Sequence, residues 1–418
     1  MQDACVFGYT TADMSKERIL IVGGGFGGVK AALELANNNH FTVTLLSDQP
    51  NLRYYPTLYH TATGGRRANS TIPLDELFKG KDITIAQGKA AMLDRKAKTI
   101  TTDDGRAFLF DTLIISLGVV TNYFGIEGLD TYSYGIKSAE EAGRLKAHLH
   151  QQLIDDHKPD LNYVIIGAGP TGIELAGALP GYLQHIMKRH GVEPRKVHID
   201  LIEALPRLLP RLPSDTSRMV KRRLKRLGVK LYLGQAVQSQ SADELTINGK
   251  PVRSHTVIWT AGVTNHPFFK NNDFTLTKRG KVSVDAYLQA EDNIFVLGDN
   301  ANTPYSGMAQ TAIVDGDFIG KNLIRRAEGK EFRSYKVKKP ITVIPVGERW
   351  AALLYGKLRI YGWLGWILRE LGDLKGFLDY ENPLQAAEQW ATEFGTEESC
   401  PACMQTQFEP KPLSYYQK

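Results

Sequence analysis

The stretch Ile19-Leu20-Ile21-Val22-Gly23-Gly24-Gly25-Phe26-Gly27-Gly28 joins an apolar run to a cluster of glycines. A second stretch of the same kind follows about one domain length later, Tyr163-Val164-Ile165-Ile166-Gly167-Ala168-Gly169-Pro170-Thr171-Gly172. Each apolar run predicts a buried parallel strand, and each G-x-G-x-x-G pattern predicts a turn and helix N-terminus that bind a pyrophosphate. One such pattern is weak evidence, but two in one chain predict two bound dinucleotides, typically one flavin and one nicotinamide.

The composition is that of a globular protein, with 418 residues, 42% hydrophobic and 23% charged. The net charge of +6 permits attraction to an anionic membrane surface but does not indicate a nucleic-acid partner. The sequence contains no run of eighteen apolar residues, and residues 1–18 lack the apolar core of a signal peptide. We therefore expect a cytoplasmic protein, whose natural start is either Met1 or Met14.

The first glycine turn leads into a predicted helix over 29–36 and a predicted strand over 41–46. A carboxylate is expected at the end of that strand to hold a ribose, and Asp48 lies 20 residues after Gly28, the usual spacing. Segments 83–85, 99–101 and 107–110 predict a small antiparallel insertion. A further buried strand over 112–117 ends at Gly118.

The second glycine turn repeats the pattern, with a helix from Ile173 and a strand over 197–202 that ends at Glu203. A carboxylate there favours NAD over NADP, because it would repel a 2′-phosphate. Strand 257–263 leaves the second unit, and strand 293–299 returns to the first. The sequence thus predicts an α/β protein with two Rossmann-like dinucleotide-binding domains, the first split by the second, and a C-terminal helical extension. The expected boundaries are 16–134 and 261–330 for the flavin domain, 135–260 for the nicotinamide domain and 331–418 for the extension.

From about Arg18 to Glu328 the chain resembles the type II NADH:quinone oxidoreductases of the two-dinucleotide-fold flavoprotein superfamily. Besides both glycine turns, the matching motifs are Tyr55-Pro56-Thr57-Leu58-Tyr59, Ala62-Thr63-Gly64, Ile173-Glu174-Leu175-Ala176-Gly177, Trp259-Thr260-Ala261-Gly262-Val263, Gly298-Asp299 and Ala309-Gln310-Thr311-Ala312. The family usually has an acid aligned with Ser47, so Ser47 and Asp48 are both candidates for the ribose contact. It also commonly has a second glutamine where this chain has Val314.

The resemblance implies FAD and NAD(H) as cofactors and assigns residues to each. The expected FAD contacts are Gly23, Gly25, Phe26, Gly27, Gly28, Ser47, Asp48, Ala90, Gly118, Gly298, Asp299, Gln310 and Thr311. The expected NAD contacts are Gly167, Gly169, Thr171, Gly172, Glu203 and Gly262. Glu174 and Gln310 are the catalytic candidates, near the nicotinamide or quinone and near the isoalloxazine; no metal is expected. Alternatively, Glu174 is stabilised by the helix dipole and Gln310 caps a helix that starts near Thr311.

The implied reaction is hydride transfer from NADH to the flavin, followed by transfer of two electrons to a quinone, without proton pumping. Two alternatives stay open: a soluble NADH-dependent reductase of a non-quinone electron carrier, and an NADH-binding redox-sensing flavoprotein with little turnover. The cysteines are Cys5, Cys400 and Cys403, outside the predicted core, so thiol chemistry at the flavin is not expected. The Cys400–Cys403 pair could bind zinc with outside ligands, act as a dithiol or have no function.

Residues 350–377 combine tryptophans, helically spaced leucines and basic side chains. This pattern is typical of a helix at a membrane interface, and it would place the protein peripherally at the inner face of the cytoplasmic membrane. The alternative is a helix packed on the flavin domain or on a second subunit of a homodimer. The basic run over 218–226 is expected to be a solvated helix face.

Overall fold

A computed structural model describes residues 16–155, 158–194 and 196–392. Its strands are β1 (Glu17–Val22), β2 (Phe41–Ser47), β3 (Asn51–Arg53), β4 (Thr71–Pro73), β5 (Thr84–Gln87), β6 (Ala90–Asp94), β7 (Thr99–Thr102), β8 (Ala107–Leu109), β9 (Thr112–Ile115), β10 (Val119–Thr121), β11 (Asn162–Ile166), β12 (His198–Glu203), β13 (Lys230–Leu233), β14 (Val237–Gln240), β15 (Glu244–Ile247), β16 (Lys250–Arg253), β17 (Thr256–Trp259), β18 (Val263–Asn265), β19 (Gln289–Glu291), β20 (Ile294–Val296), β21 (Thr342–Pro345), β22 (Ala351–Tyr355) and β23 (Leu358–Gly362). Its helices are α1 (Phe26–Leu35), α2 (Leu58–Ala62), α3 (Leu74–Leu77), α4 (Leu129–Tyr132), α5 (Ala139–Asp155), α6 (Pro170–Arg189), α7 (Ser214–Arg226), α8 (Pro267–Asn271), α9 (Ala309–Ala327), α10 (Trp363–Leu378) and α11 (Pro383–Thr392).

The first sheet has six strands in the order β19-β20-β9-β1-β2-β5. All neighbours in it pair in parallel except β19 with β20, which pair antiparallel. Residues 19–22 of the central strand are at most 1% exposed, because helices cover both faces of a parallel sheet. Helices α1 and α9 pack against each other on this sheet.

The second sheet has four parallel strands in the order β13-β12-β11-β17. It is built from residues between the two segments that form the first sheet, which confirms the prediction that one dinucleotide-binding unit is inserted into the other. An antiparallel pair, β10 with β18, connects the two units where the chain leaves and re-enters the first.

The region between β2 and β9 differs from the prediction. Strand β5, expected within a small antiparallel insertion, pairs in parallel with β2 at the edge of the first sheet. The antiparallel insertion consists instead of β6, β7 and β8, and β6 was not predicted. Residues 84–87 are exposed or half-buried, so this edge strand lacks the apolar run that identifies a central strand.

The C-terminal extension contains a three-stranded antiparallel sheet, β21-β22-β23, before the expected helices. The last strand runs directly into α10, which packs on this sheet and on α11. Helix α6 also contacts β21, and a Cβ atom built on Gly177 would lie 2.5 Å from the backbone nitrogen of Gly347. The extension therefore packs closely on the second dinucleotide-binding unit.

Candidate active site

The first glycine turn requires glycine at two positions for steric reasons. Gly23 has φ = +116°, and a Cβ atom built there would lie 2.2 Å from the carbonyl oxygen of Ser116. A Cβ atom on Gly28 would lie 2.0 Å from the carbonyl oxygen of Gly23. Gly27 approaches the Leu297 side chain, so this turn lies beside the end of β20.

The second turn has the same construction. Gly167 has φ = +104° and lies against Ala261, and Gly172 lies against the carbonyl oxygen of Gly167. Gly262 packs under the ring of Phe124. Thr171 is half-buried in the first turn of α6.

The middle glycine of the G-x-G-x-x-G pattern faces open space in each unit. Gly25 and Gly169 are the N-caps of α1 and α6; neither has a side-chain cap, and a Cβ atom built on either meets no atom within 4 Å. The amide groups at both helix N-termini are therefore accessible to an anion, and the helix dipoles favour negative charge there. Both cradles fit the pyrophosphate of a dinucleotide.

The two strand ends hold different side chains. Glu203 ends β12 and accepts hydrogen bonds from the backbone nitrogens of Ala168 (2.8 Å) and Leu205 (2.9 Å), so its carboxylate lies against the second glycine turn. Ser47 takes the corresponding place at the end of β2, beside Gly24, and its hydroxyl donates to the Gln49 carbonyl.

Asp48 lies one residue beyond the strand end, and its carboxylate forms an ion pair of 2.7 Å with Arg53. The structure thus places Ser47 against the turn, and Asp48 beside it with a cationic partner. Ala90 begins β6 close by, because the Gly88 backbone nitrogen donates to the Ser47 carbonyl at 2.8 Å.

The Gly298–Asn300 turn follows β20 and faces the Gly118 turn after β9. Asn300 is fully buried; its side chain accepts from the Gly118 backbone nitrogen (2.9 Å) and donates to the Gly118 carbonyl (2.6 Å). Two lysines lie near the half-buried Asp299. The Lys281 ammonium donates to the Asp299 backbone carbonyl at 2.9 Å, and the Asp299 carboxylate interacts electrostatically with Lys137. Burial lowers the pKa of both lysines, and the charge of Asp299 opposes that change.

Sequence reasoning missed Asp315, which holds this turn from behind. Asp315 is fully buried on α9 and accepts hydrogen bonds from the Gly298 backbone nitrogen (3.0 Å) and the Tyr335 hydroxyl (2.5 Å). Burial raises the pKa of Asp315 to about 6, while the two donors lower it. The available signal was a carboxylate on the apolar face of an amphipathic helix, one turn after Thr311.

Gln310 and Thr311 are both anchored by hydrogen bonds. The exposed Gln310 amide accepts from the Ile341 backbone nitrogen (3.0 Å) and donates to the Ile341 carbonyl (3.3 Å). The Thr311 hydroxyl donates to the Tyr305 carbonyl at 3.0 Å. Gln310 thus holds the chain just before β21.

Glu174 lies on α6 opposite the charged side of α10. Burial raises the pKa of Glu174 to about 8; the nearby Arg369 opposes this shift and Asp373 adds to it. Arg369 forms ion pairs with Asp373 (2.7 Å) and Glu370 (3.2 Å) and lies over the ring of Tyr59. The structure therefore brings Glu174 to a cluster of buried charges between α2, α6 and α10, a cluster that the sequence analysis did not predict.

The end of α10 and the residues just after it reach the first glycine turn. The Tyr380 hydroxyl donates to the Phe26 carbonyl at 3.0 Å, and the rings of Tyr54 and Phe377 stack with centroids 4.6 Å apart. The C-terminal segment therefore forms part of the wall around the first dinucleotide site. Cys5, Cys400 and Cys403 lie outside the described residues.

A model of the pyridine nucleotide-disulphide oxidoreductase family matches residues 17–316 of the chain. A type II NADH:quinone oxidoreductase of Mycobacterium tuberculosis is 27% identical, covering 93% of this chain and 89% of that protein. A type II NADH:quinone oxidoreductase of Staphylococcus saprophyticus is 26% identical, with coverages of 82% and 90%.

The same fold is found in the solved structure of NDH2 from Plasmodium falciparum in complex with NADH. The TM-score is 0.80 at 16% identity, and the match covers 95% of this chain and 99% of that one. The resemblance expected from the motifs is confirmed. The chain belongs to the pyridine nucleotide-disulphide oxidoreductase family.

Proposed function

We propose that the chain is an FAD-dependent NADH dehydrogenase that passes two electrons to a quinone. The observation that carries this proposal is a pair of dinucleotide-binding turns in one chain whose residues 16–392 include no cysteine. Electrons taken from the nicotinamide therefore find no thiol in that range, and a separate molecule has to accept them. The similarity to type II NADH:quinone oxidoreductases supports a quinone as that molecule.

In this proposal residues 16–134 and 261–330 bind FAD and residues 135–260 bind NADH. FAD supplies the acceptor for the hydride of NADH and the donor of two electrons to the quinone. The FAD contacts are Gly23, Gly25, Phe26, Gly27, Gly28, Ser47, Asp48, Ala90, Gly118, Gly298, Asp299, Gln310 and Thr311. The NADH contacts are Gly167, Gly169, Thr171, Gly172, Glu203 and Gly262. Glu203 makes NADH the preferred substrate over NADPH.

Glu174 holds the proton that quinone reduction requires. A carboxyl group with a pKa of about 8 is neutral at pH 7 and can donate its proton to a quinone oxygen. Arg369 keeps a positive charge beside it, which stabilises the carboxylate left after donation. Gln310 fixes the segment around Ile341, next to the sheet on which α10 packs.

The exposed side of α10 supports attachment to a lipid surface. Trp363 is 66% exposed, Leu371 52% and Leu378 44%, whereas the side chains of Arg369 and Asp373 are turned inward, at 11% and 13%. Such a helix presents apolar side chains to its surroundings, and lipid would cover them. The proposed location is the inner face of the cytoplasmic membrane, where quinone would enter from the lipid. A second subunit on the same surface is the competing occupant. Within the described residues, no helix combines the length and apolar character needed to cross a membrane.

One observation favours a second candidate function, reduction of a soluble electron carrier. Val314 stands where the family commonly has a glutamine, and the Gln310 amide is already bonded to Ile341. Because the second glutamine is absent and the Gln310 amide is already bonded, fewer polar groups remain to orient a quinone ring.

Anaerobic stopped-flow absorbance separates the two functions. The yellow protein is mixed with NADH, and the reduced protein is then mixed with a short-chain quinone. Fast bleaching followed by fast reoxidation is the expected result. Fast bleaching without reoxidation by quinone would favour reduction of a soluble electron carrier. The absence of bleaching would contradict the proposal that the protein is an NADH dehydrogenase.

A further inference from the structure

Three ionisable side chains form a hydrogen-bonded chain that the proposed machinery does not use. His190, half-buried at the end of α6, faces His150 on α5, with 2.7 Å between His190 Nε2 and His150 Nδ1. The other ring nitrogen of His150 lies 2.9 Å from the hydroxyl of Tyr182, which is about two turns further into α6 than His190. His150 and Tyr182 are only 3% and 8% exposed. The chain therefore leads from the surface into the interior.

Its inner end faces the turn that follows α2. The ring of Tyr182 packs against Gly64, where φ is +101° and a Cβ atom would lie 2.9 Å from Cε2 of the tyrosine. The next residue, Gly65, packs against His60, whose Nδ1 would lie 2.6 Å from a Cβ atom built there. The adjacent residues Gly64 and Gly65 thus lie between Tyr182 and His60.

Lys146 lies near both His60 and His150. Its ammonium group is 3.5 Å from the Gly65 carbonyl. Burial lowers the pKa of both His60 and His150, and the charge of Lys146 adds to that shift. The charge of Arg369, the residue that lies beside Glu174, also lowers the pKa of His60. Buried and half-buried ionisable groups therefore continue from His190 to the Glu174 cluster, across the contacts of α2 with α5 and α6.

The position of His150 is costly for a residue with only a packing role. It lies on α5 among Leu145, Leu149 and Leu153, which are fully buried in the same core. Burying an imidazole there is tolerated because both ring nitrogens have partners. Since one nitrogen of a neutral imidazole donates while the other accepts, exchange of the two tautomers moves a proton across the ring.

Burial and the surrounding charges keep His150 neutral at pH 7. The pKa of His150 is lowered to about 3, mainly by burial and in addition by the neighbouring His190, Lys146, Arg189 and His185. Tyr182 is the remaining ionisable partner in contact with it. A relay that passes protons by tautomer exchange needs no stored charge, so a low pKa is compatible with it.

We propose that His190, His150 and Tyr182 form a proton-uptake path that runs from the protein surface toward the Glu174 side of the molecule. The proposal rests on the proposed quinone reduction. In that reaction NADH, quinone and one proton give NAD⁺ and quinol: the hydride carries two electrons and one proton, and the second proton comes from water. Glu174 gives its proton to the quinone oxygen, and the path returns one from water by way of His190.

The test is reoxidation of the NADH-reduced protein by a short-chain quinone, measured by anaerobic stopped flow. His190→Ala is expected to slow reoxidation on the order of 10-fold and to leave bleaching by NADH unchanged, because only the second half-reaction takes up a proton from water. Added imidazole should restore the rate. Tyr182→Phe, which keeps the ring on Gly64, should slow reoxidation in the same way without rescue.

His185→Ala is the matched control, because His185 is an exposed histidine near the same end of α6. It should reoxidise like the wild type. Wild-type rates in both His190→Ala and Tyr182→Phe would overturn the path, as would slow reoxidation in His190→Ala that imidazole does not restore. A wild-type protein that NADH bleaches but quinone does not reoxidise would instead overturn the proposed function, and the path with it.

Discussion

At the scale of single residues, Glu174 is the proposed catalytic residue whose protonation is changed most by its surroundings. Its pKa of about 8 results from burial, which Arg369 only partly offsets. The neutral acid is therefore the main form at pH 7, and the carboxylate becomes the main form as the pH rises through about 8. A proton donor with this pKa is well matched to neutral conditions.

Replacement of Glu174 by glutamine should remove this donor. We expect Glu174→Gln to slow reoxidation by quinone at pH 7 by about 100-fold, the usual contribution of a positioned acid. The wild-type rate should fall above pH 8, and the variant should show no change there. Stopped-flow reoxidation between pH 6 and 9 measures both.

Bleaching by NADH is the internal control, and it should be equal in the two proteins. The folded state favours the neutral carboxyl, so wild-type stability should fall as the pH rises from about 4.5 to about 8, and glutamine avoids that loss. A variant that kept the wild-type rate and the same pH dependence would show that another group donates the proton.

In the proposed function, Glu203 determines the nicotinamide preference through its charge. Its carboxylate already accepts hydrogen bonds from the backbone nitrogens of Ala168 and Leu205, which fixes its position against the second glycine turn. Glu203→Gln keeps the size and removes the charge that repels a 2′-phosphate. We expect KM for NADH to rise and KM for NADPH to fall, so that their ratio changes by about 10-fold, equivalent to about 1.4 kcal/mol.

Steady-state assays with both nucleotides measure this ratio. Asp48→Asn is a suitable comparison, because Asp48 lies at the strand end of the other unit and is paired with Arg53. It should leave the NADH to NADPH ratio unchanged. An unchanged ratio in Glu203→Gln would place the discrimination elsewhere.

At the scale of elements, the two glycine turns allow the two cofactors to be removed separately. Gly25 has φ = −89° and Gly169 φ = −73°, values that alanine adopts without strain, and neither position has an atom near a built Cβ. The methyl group of Gly25→Ala should therefore be accommodated by the fold and obstruct the pyrophosphate of FAD. Gly169→Ala should retain the flavin and raise KM for NADH about 10-fold or more.

Flavin absorbance of the purified variants and NADH titration measure these outcomes. Gly28→Ala is the contrasting variant, because its methyl group would lie 2.0 Å from the Gly23 carbonyl and should lower the stability of the protein itself. Full flavin content in Gly25→Ala would mean that the pyrophosphate does not lie over this helix N-terminus.

These turns could be predicted from sequence because the requirement for glycine is local. Gly23 and Gly167 have a positive φ, and the glycine five residues after each of them lies against its carbonyl oxygen. Both requirements are therefore visible in the spacing of the glycines. Asp315 with Tyr335 and His150 with His190 left no such trace, because the partners are 20 and 40 residues apart and meet only after packing. Strand β5 was misplaced for a related reason: an exposed edge strand has no apolar run.

At the scale of the whole molecule, the C-terminal extension connects both dinucleotide units. Tyr380, just after α10, bonds the first glycine turn at Phe26, whereas Arg369 and Asp373 on α10 lie beside Glu174 of the second unit. Helix α10 therefore turns Arg369 and Asp373 toward the site and leaves Trp363, Leu371 and Leu378 outside, beside the exposed Lys375. Anything that binds the outer side of α10 is thus only one helix away from Glu174.

Binding to lipid vesicles tests whether a membrane covers this outer side. Trp363 and Leu371 are 66% and 52% exposed, and each should bury apolar area in lipid, so Trp363→Ser combined with Leu371→Gln should weaken vesicle binding at least 10-fold. Reduction of a short-chain quinone in buffer should be unchanged, and reduction of a long-chain quinone in vesicles should fall. Met92→Gln is the control, since Met92 is 61% exposed but lies on the small β6-β7-β8 sheet. Unchanged vesicle binding, together with a dimer that dissociates in the double variant, would show that a second copy of the chain covers α10 in place of lipid.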